Sequence, residues 1–305
     1  MKLTVLVPSE DYRASAGARI RYGGLAKGLS GADISLSLEP IGDFDPAAAD
    51  CDALLISKCH DARSTVAAAI LSRRGKLVGV DLFDDYFSES SDSRLIRYRE
   101  WLADTLKECA FSLCSTSMMA QVVGRYRPEL PTHVVNDPSR EHSVEAALQS
   151  VENKIADAFS DNVIRVAWFG VGDNPYFQVG LTDLYAHSAV LDELTRSGMA
   201  VELTVLTNRR SLGADGLELI SRLPVPSTVI EWSEEAERVA LENSLLAFLP
   251  VSARPFSAAK SLNRAFTALS YGCQILSVGH PLYEALDPLL YRDAASFLSD
   301  LSQKR

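Results

Sequence analysis

The sequence has no CxxC pair, no HExxH and no GxGxxG. Those spacings serve thiol exchange and zinc sites, metalloprotease chemistry and dinucleotide binding, so none of these is indicated. The five cysteines, Cys51, Cys59, Cys109, Cys114 and Cys273, are odd in number and sit largely in apolar runs. That pattern fits reduced, buried thiols rather than a disulfide framework. Positive charge is scarce too: 30 lysines and arginines stand against 40 acids, for a net charge of −10. Such a balance argues against general binding to nucleic acid or to anionic membranes, although it leaves room for a local basic pocket. No apolar run approaches the ~20 residues of a membrane span. The opening "MKLTVLVPSE" is too short in its apolar part for a secretion signal and reads as a first strand, so a cytoplasmic location is expected.

What is present is a long alternation. The 305 residues, 47% hydrophobic, suit about two domains at roughly 150 residues each. Strands are expected at 3–7, 34–39, 53–57, 76–81, 111–115 and 132–136, with helices near 17–29, 61–73, 93–108 and 116–126 between them. A polar stretch over 137–162 carries one amphipathic helix. A second series then runs through strands at 164–170, 200–207, 227–232, 244–251 and 273–278. Helices near 179–198, 213–222, 233–243 and 260–271 separate them. Unbroken apolar strands alternating with helices indicate α/β architecture with parallel sheets covered on both faces. The expected organisation is an N-terminal Rossmann-like domain over 1–140, a linker helix over 141–162 and a C-terminal Rossmann-like domain over 163–305.

Ligands of open parallel sheets bind at the carboxyl ends of strands, so residues just after each strand matter most. After the first comes "PSEDYRASAGARIRYGG", with Gly17 before a helix that carries Arg19 and Arg21: an anion-binding turn or a solvated helix start. Lys58 and His60 follow the third strand in "ISKCHD", and the lone histidine is read as structural. "DLFDDYF" clusters Asp81, Asp84 and Asp85 at another strand end. Crowded carboxylates can yield one base of raised pKa, a cation site, or only an acidic turn. In the second half Gly170 and Gly172 follow "RVAWF", Arg209 and Arg210 follow "AVELTVLT", and Arg254 lies in the loop leading to "KSLNRAFTALSYGCQILSV". There Lys260, Asn263 and Arg264 fall within five residues at an expected helix start. Cations at the positive end of a helix dipole are unfavourable unless an anion joins them, and a diphosphate suits several such loops on one sheet edge.

These segments resemble, in order and over nearly the whole chain, those of GT-B glycosyltransferases. "KSLNRAFTALSYGCQILSV" is similar to their donor-site K-S-x-N-R-x-x-E-A-x-x-x-G-x-P-V pattern. "KLVGVDLFDDYF" is similar to "GKKVVYDIDDDLF", and "FSLCSTSMMAQVV" and "THVVNDP" have counterparts as well. The nearest likeness is to the retaining, sucrose-synthase-like enzymes (glycosyltransferase family 4, group 1) that build bacterial surface polysaccharides. The resemblance implies two Rossmann-like domains facing a cleft, with a nucleotide-sugar donor on the C-terminal half. It also implies a glycan or lipid-linked acceptor on the N-terminal half, no cofactor and no metal. Lys260, Asn263 and Arg264 would face the donor diphosphate, with Gly170, Arg209 and Arg210 nearby. Gly17, Arg19 and Lys58 would approach from the N-terminal side, and Asp84 and Asp85 would serve catalysis near the acceptor.

Two departures stand out. The family's paired glutamates are replaced by Ala259 and Thr267, and the chain closes soon after "SFLSDLSQKR", as a truncated or modular protein would. Ribose binding must then differ, or activity is reduced or absent. A nucleotide-sugar epimerase and a non-catalytic GT-B-like module are the alternatives. Peripheral membrane contact is left open.

Overall fold

The computed structural model describes residues 1–137 and 142–303; residues 138–141, which include the first residue of the expected linker, lie outside it. The chain divides into two compact units: Met1–Ser139 with Ala259–Ser261, and Arg140–Ala258 with Leu262–Arg305.

In unit 1 the strands are β1 (Lys2–Val7), β2 (Ser35–Pro40), β3 (Ala53–Ser57), β4 (Leu77–Leu82), β5 (Phe111–Cys114) and β6 (Thr132–Val134). The helices are α1 (Gly24–Ser30), α2 (Ala62–Arg73), α3 (Ile96–Glu108) and α4 (Ser117–Tyr126). All strand pairs are parallel, in the order β2-β1-β3-β4-β5-β6. Every residue of β3 is buried, which is why "ALLIS" needs no polar alternation. Side chains start the helices: Asp61 accepts from the N–H groups of Arg63 and Ser64, and Thr116 from that of Met119. Before α1, residues Ala18–Gly23 form a wide π-type turn that buries Arg21 and Tyr22.

Unit 2 opens with α5 (Val144–Asp161). It continues through β7 (Val163–Phe169), α6 (Leu181–Ala186), α7 (Ala189–Leu194), β8 (Ala200–Thr207), α8 (Ala214–Ser221), β9 (Ser227–Glu231) and α9 (Glu234–Asn243). Then come β10 (Leu246–Phe248), α10 (Pro255–Ala258), α11 (Asn263–Ser270), β11 (Gln274–Leu276), β12 (Leu290–Tyr291) and α12 (Ala294–Ser302). This sheet is parallel as well, ordered β12-β11-β10-β7-β8-β9. Ile164, Val166 and Trp168 point into one core with Leu203, Val205 and Phe248. Ala167 and Phe169 point into the other, with Leu249, Ala265 and Ile275.

Three local differences from the sequence expectation have physical causes. The helix expected from 260 begins at Asn263, and Lys260 and Ser261 lie ahead of it, engaged by side chains of unit 1. The helix expected over 179–198 breaks between α6 and α7, where Ser188 Oγ bonds back to the Tyr185 carbonyl at 2.8 Å. The two-residue β12 is too short to show a period. All five cysteines are free and buried. Among the described residues no helix is long and apolar enough to cross a membrane.

Candidate functional site

In the unit 2 sheet the strand order reverses between β7 and β10, the crevice where open α/β sheets take ligands. Gly170 ends β7 with φ 150°, a conformation that glycine adopts without strain. A Cβ at that position would stand 3.3 Å from Nη1 of Arg264. The Arg264 guanidinium lies over the rings of Trp168 and Phe169, with Cζ 5.9 and 5.8 Å from their centroids. Its Nε and Nη2 are buried and have no hydrogen-bond partner. Leaving such donors unpaired costs on the order of 1–3 kcal/mol, more for a charged group, and an anion held there would offset it. Asn263 opens the same helix, α11, whose first N–H groups have no partner within the helix.

The neighbouring loops are braced against each other. Gly172 N–H donates to Asn208 Oδ1 at 3.0 Å, and Gly180, at φ 77°, lies so close to the Gly172 backbone that a Cβ would meet it at 2.5 Å. Asp173 accepts from Asn208 (3.1 Å), Ser211 (2.6 Å) and Arg210 Nε (2.6 Å). Burial works against the Asp173 charge, but the Arg210, Ser211 and Asn208 donors prevail and hold its carboxyl below the usual range. Arg210 thus braces a loop, and Arg209 beside it is exposed. Arg254 donates to Gln178 Oε1 at 3.4 Å. Asp183 is buried: burial raises its carboxyl, while Ser252, the Gly180 N–H, His187 and Arg264 pull the other way.

The sheet of unit 1 reverses its order between β1 and β3. Gly17 packs under Tyr12 and Phe83; a Cβ would stand 2.9 Å from the Tyr12 hydroxyl and 3.3 Å from the Phe83 ring. Arg19 Nε donates to the Ala14 carbonyl at 3.3 Å. The buried arginine is Arg21, which grips Asp81 through Nε (2.5 Å) and Nη2 (2.6 Å). Its Nη1 reaches the Val135 carbonyl (2.8 Å) and Asp137 (3.0 Å), and Tyr22 adds a hydrogen bond to Asp81 at 2.6 Å. Lys58 has a left-handed backbone, φ 59°, and its ammonium lies over Phe83, 4.7 Å from the ring centroid. It pairs with one oxygen of Asp84, and Lys260 pairs with the other. Burial, then the Lys260 ammonium, pushes the Lys58 amine down. Asp85 is buried and accepts the N–H groups of Phe87 (3.0 Å) and Ser88 (2.9 Å), so it closes a turn. Three buried hydroxyls, those of Tyr12, Ser57 and Ser115, have no partner.

The structure therefore brings Lys58, Asp84 and Lys260 together in unit 1, and Gly170 with Arg264 in unit 2. Asp81 is consumed by Arg21, and Asp85 by its own turn. Sequence reasoning missed Asp137, Asp173, Asn208 and Asp183. Asp173 follows Gly172 directly, a visible cue; nothing in the sequence marks Asp183. Among the described residues no three His, Cys, Asp or Glu side chains form a metal-ligand group.

No protein-family model matches the chain, and no curated protein is found similar to it by sequence. Solved structures are similar in fold. HepE of Anabaena, in complex with UDP and glucose, superposes with a TM-score of 0.63 at 12% identity, over 100% of this chain and 91% of that one. A trehalose-6-phosphate structure from E. coli, bound with UDP-2-fluoro glucose, gives 0.61 at 11% identity over 100% and 90%. The UDP-forming α,α-trehalose-phosphate synthase of Burkholderia vietnamiensis gives 0.58 at 12% identity over 99% and 90%. With its two six-stranded parallel sheets, the chain has the GT-B fold.

Proposed function

We propose that the protein is a glycosyltransferase that takes a sugar from a nucleotide-diphosphate donor held by unit 2. The observation that carries this reading is the pair of buried, unpartnered donors Nε and Nη2 of Arg264 beside Gly170, at the switch point of a Rossmann-ordered sheet. Bonds from Nε and Nη2 to phosphate oxygens would satisfy the orphaned donors. As the glycosidic bond breaks, charge grows on the leaving diphosphate, and a fixed guanidinium beside a helix N-terminus stabilises it without reorganisation. Cations and N–H groups can do this without a metal. Asn263 joins Arg264 as a diphosphate ligand in this reading; Arg209 and Arg210 stay outside the first contacts. UDP is the nucleotide to try first, because it forms part of the ligand in two of the similar structures.

The finer reading follows the sequence resemblance: a retaining, sucrose-synthase-like enzyme acting on a glycan or lipid-linked acceptor in bacterial surface polysaccharide synthesis. Lys58 and Asp84 would lie on the acceptor-binding unit. A second reading, a GT-B module that binds without transferring, is favoured by Ala259 and Thr267. Ala259 is fully buried, so a glutamate there would have no solvent.

The test is calorimetric titration with UDP, GDP, ADP, CMP and TDP, followed by the selected nucleotide against Arg264→Ala. Loss of a charge-assisted contact of about 1.5–3 kcal/mol is expected to weaken binding by one to two orders of magnitude. Equal affinity in wild type and variant would remove Arg264 from the site. Selective nucleotide binding with no transfer from any matching nucleotide-sugar would favour the binding module.

A further inference from the structure

The loop that leaves β7 carries an acid of its own. Gly172 is fixed through both backbone groups: its N–H donates to Asn208 Oδ1 at 3.0 Å, and its carbonyl accepts the Leu181 N–H at 2.9 Å. A Cβ there would stand 2.5 Å from Thr207 Oγ1, so the loop is pressed onto the turn after β8. Asp173 comes next, three residues after Gly170, and that much chain spans at most about 11 Å. Its charge therefore stands near the guanidinium of Arg264, which lies against Gly170. A free carboxylate at that range would repel a diphosphate held by Arg264. Asn208 Nδ2 (3.1 Å) and Ser211 Oγ (2.6 Å) donate to its Oδ1, and Arg210 Nε donates to its Oδ2 at 2.6 Å. The two neutral donors orient the carboxylate; Arg210 also brings the charge that cancels it. Arg210 and Asp173 are 62% and 38% exposed, and a pair that open to solvent adds little to stability.

We propose that Arg210 is a positioning residue for the donor site of unit 2: it holds and neutralises Asp173, so that the loop bearing Gly170 presents no net negative charge to the nucleotide's diphosphate. The proposal rests on the reading of Arg264 as a diphosphate ligand. Arg210 acts through Asp173 and needs no contact with phosphate. Without it, Asp173 stays oriented by Asn208 and Ser211, and its field reaches the incoming anion. Two consequences set this apart from a direct phosphate contact and from mechanical bracing. Removing the Asp173 charge as well restores binding, whereas a lost contact or a lost brace would not return. The effect also depends on salt, because the screening length falls from about 30 Å at 0.01 M to about 8 Å at 0.15 M.

The experiment is calorimetric titration with UDP of wild type, Arg210→Met, Asp173→Asn and the double variant Arg210→Met/Asp173→Asn, at about 0.01 M and about 0.15 M salt. Arg264→Ala is titrated beside them. At low salt Arg210→Met is expected to bind about three- to fivefold more weakly than wild type, with a smaller loss at the higher salt. Asp173→Asn is expected to bind at least as tightly as wild type, and the double variant to return to wild-type affinity. Equal affinity of Arg210→Met and wild type at low salt overturns the proposal. A double variant as weak as Arg210→Met overturns it too, in favour of a phosphate contact or a brace. Should Arg210→Met lower the melting temperature, Arg210→Lys, which keeps the charge and loses the planar fork, is titrated instead. Wild-type affinity is expected there, and a loss like that of Arg210→Met overturns the proposal. If wild type binds no UDP, or Arg264→Ala binds it equally well, the reading of Arg264 fails and the proposal falls with it. If Arg264→Ala weakens binding and the charge variants do not differ, the proposal alone fails.

Discussion

His60 shows how burial decides the chemistry of one residue. Trp101 and Tyr98 meet its ring edge-on, with centroids 4.6 and 5.1 Å away, and Phe87 and Tyr86 stand at 5.8 and 6.0 Å. Burial, then the charges of Lys58 and Arg97, pushes its imidazole down to about 3. In the unfolded chain histidine titrates near 6.5. Above that pH it is neutral in both states and contributes nothing. As pH falls from 6.5 toward 3 the unfolded chain binds a proton that the folded one refuses, so stability drops by up to about 1.4 kcal/mol per pH unit. Urea unfolding at pH 7 and pH 5 checks this: His60→Phe is expected to shrink the pH-dependent loss by about 2 kcal/mol. An equal loss in both proteins would contradict it. The sequence marks His60 as structural but not why, because its four aromatic neighbours come from residues 86–101. Lys58, Asp84 and Lys260 pose the same difficulty more strongly, since up to 176 residues separate partners that meet only in the fold.

At the scale of elements the strands were the most legible feature. β3 and β8 occupy the residues their apolar runs predict: β3 is buried throughout and β8 over its last three residues, where apolar side chains dominate. The turn after β4 was legible as a cluster of acids, not as three separate roles. Asp81 points back to Arg21, Asp84 lies between two lysines, and Asp85 caps the turn. Which way each acid points depends on backbone angles that residue types alone do not fix. Asp85→Ala strands the buried N–H of Phe87 and the half-buried N–H of Ser88, and is expected to cost about 1–3 kcal/mol of stability in urea unfolding. A change under about 0.5 kcal/mol would show that the turn closes without it.

At the scale of the molecule two parallel sheets with different strand orders share one chain. β2-β1-β3 places the reversal of unit 1 beside β1, and β10-β7-β8 places that of unit 2 beside β7. At the reversal of unit 1, Arg21 and Lys58 are paired with Asp81 and Asp84, whereas at that of unit 2 Arg264 keeps two donors unpaired in a chain with a net charge of −10. Local positive charge in an acidic molecule suits a small anionic ligand better than an extended polyanion. The fold class could be read from the alternation of strands and helices; the orphaned guanidinium could not, because it is a property of packing. The most direct measurement is a crystal structure grown with UDP. The account expects phosphate oxygens within about 2.7–3.0 Å of Nε and Nη2 of Arg264. A nucleotide bound elsewhere, with that guanidinium still unpartnered, would contradict it.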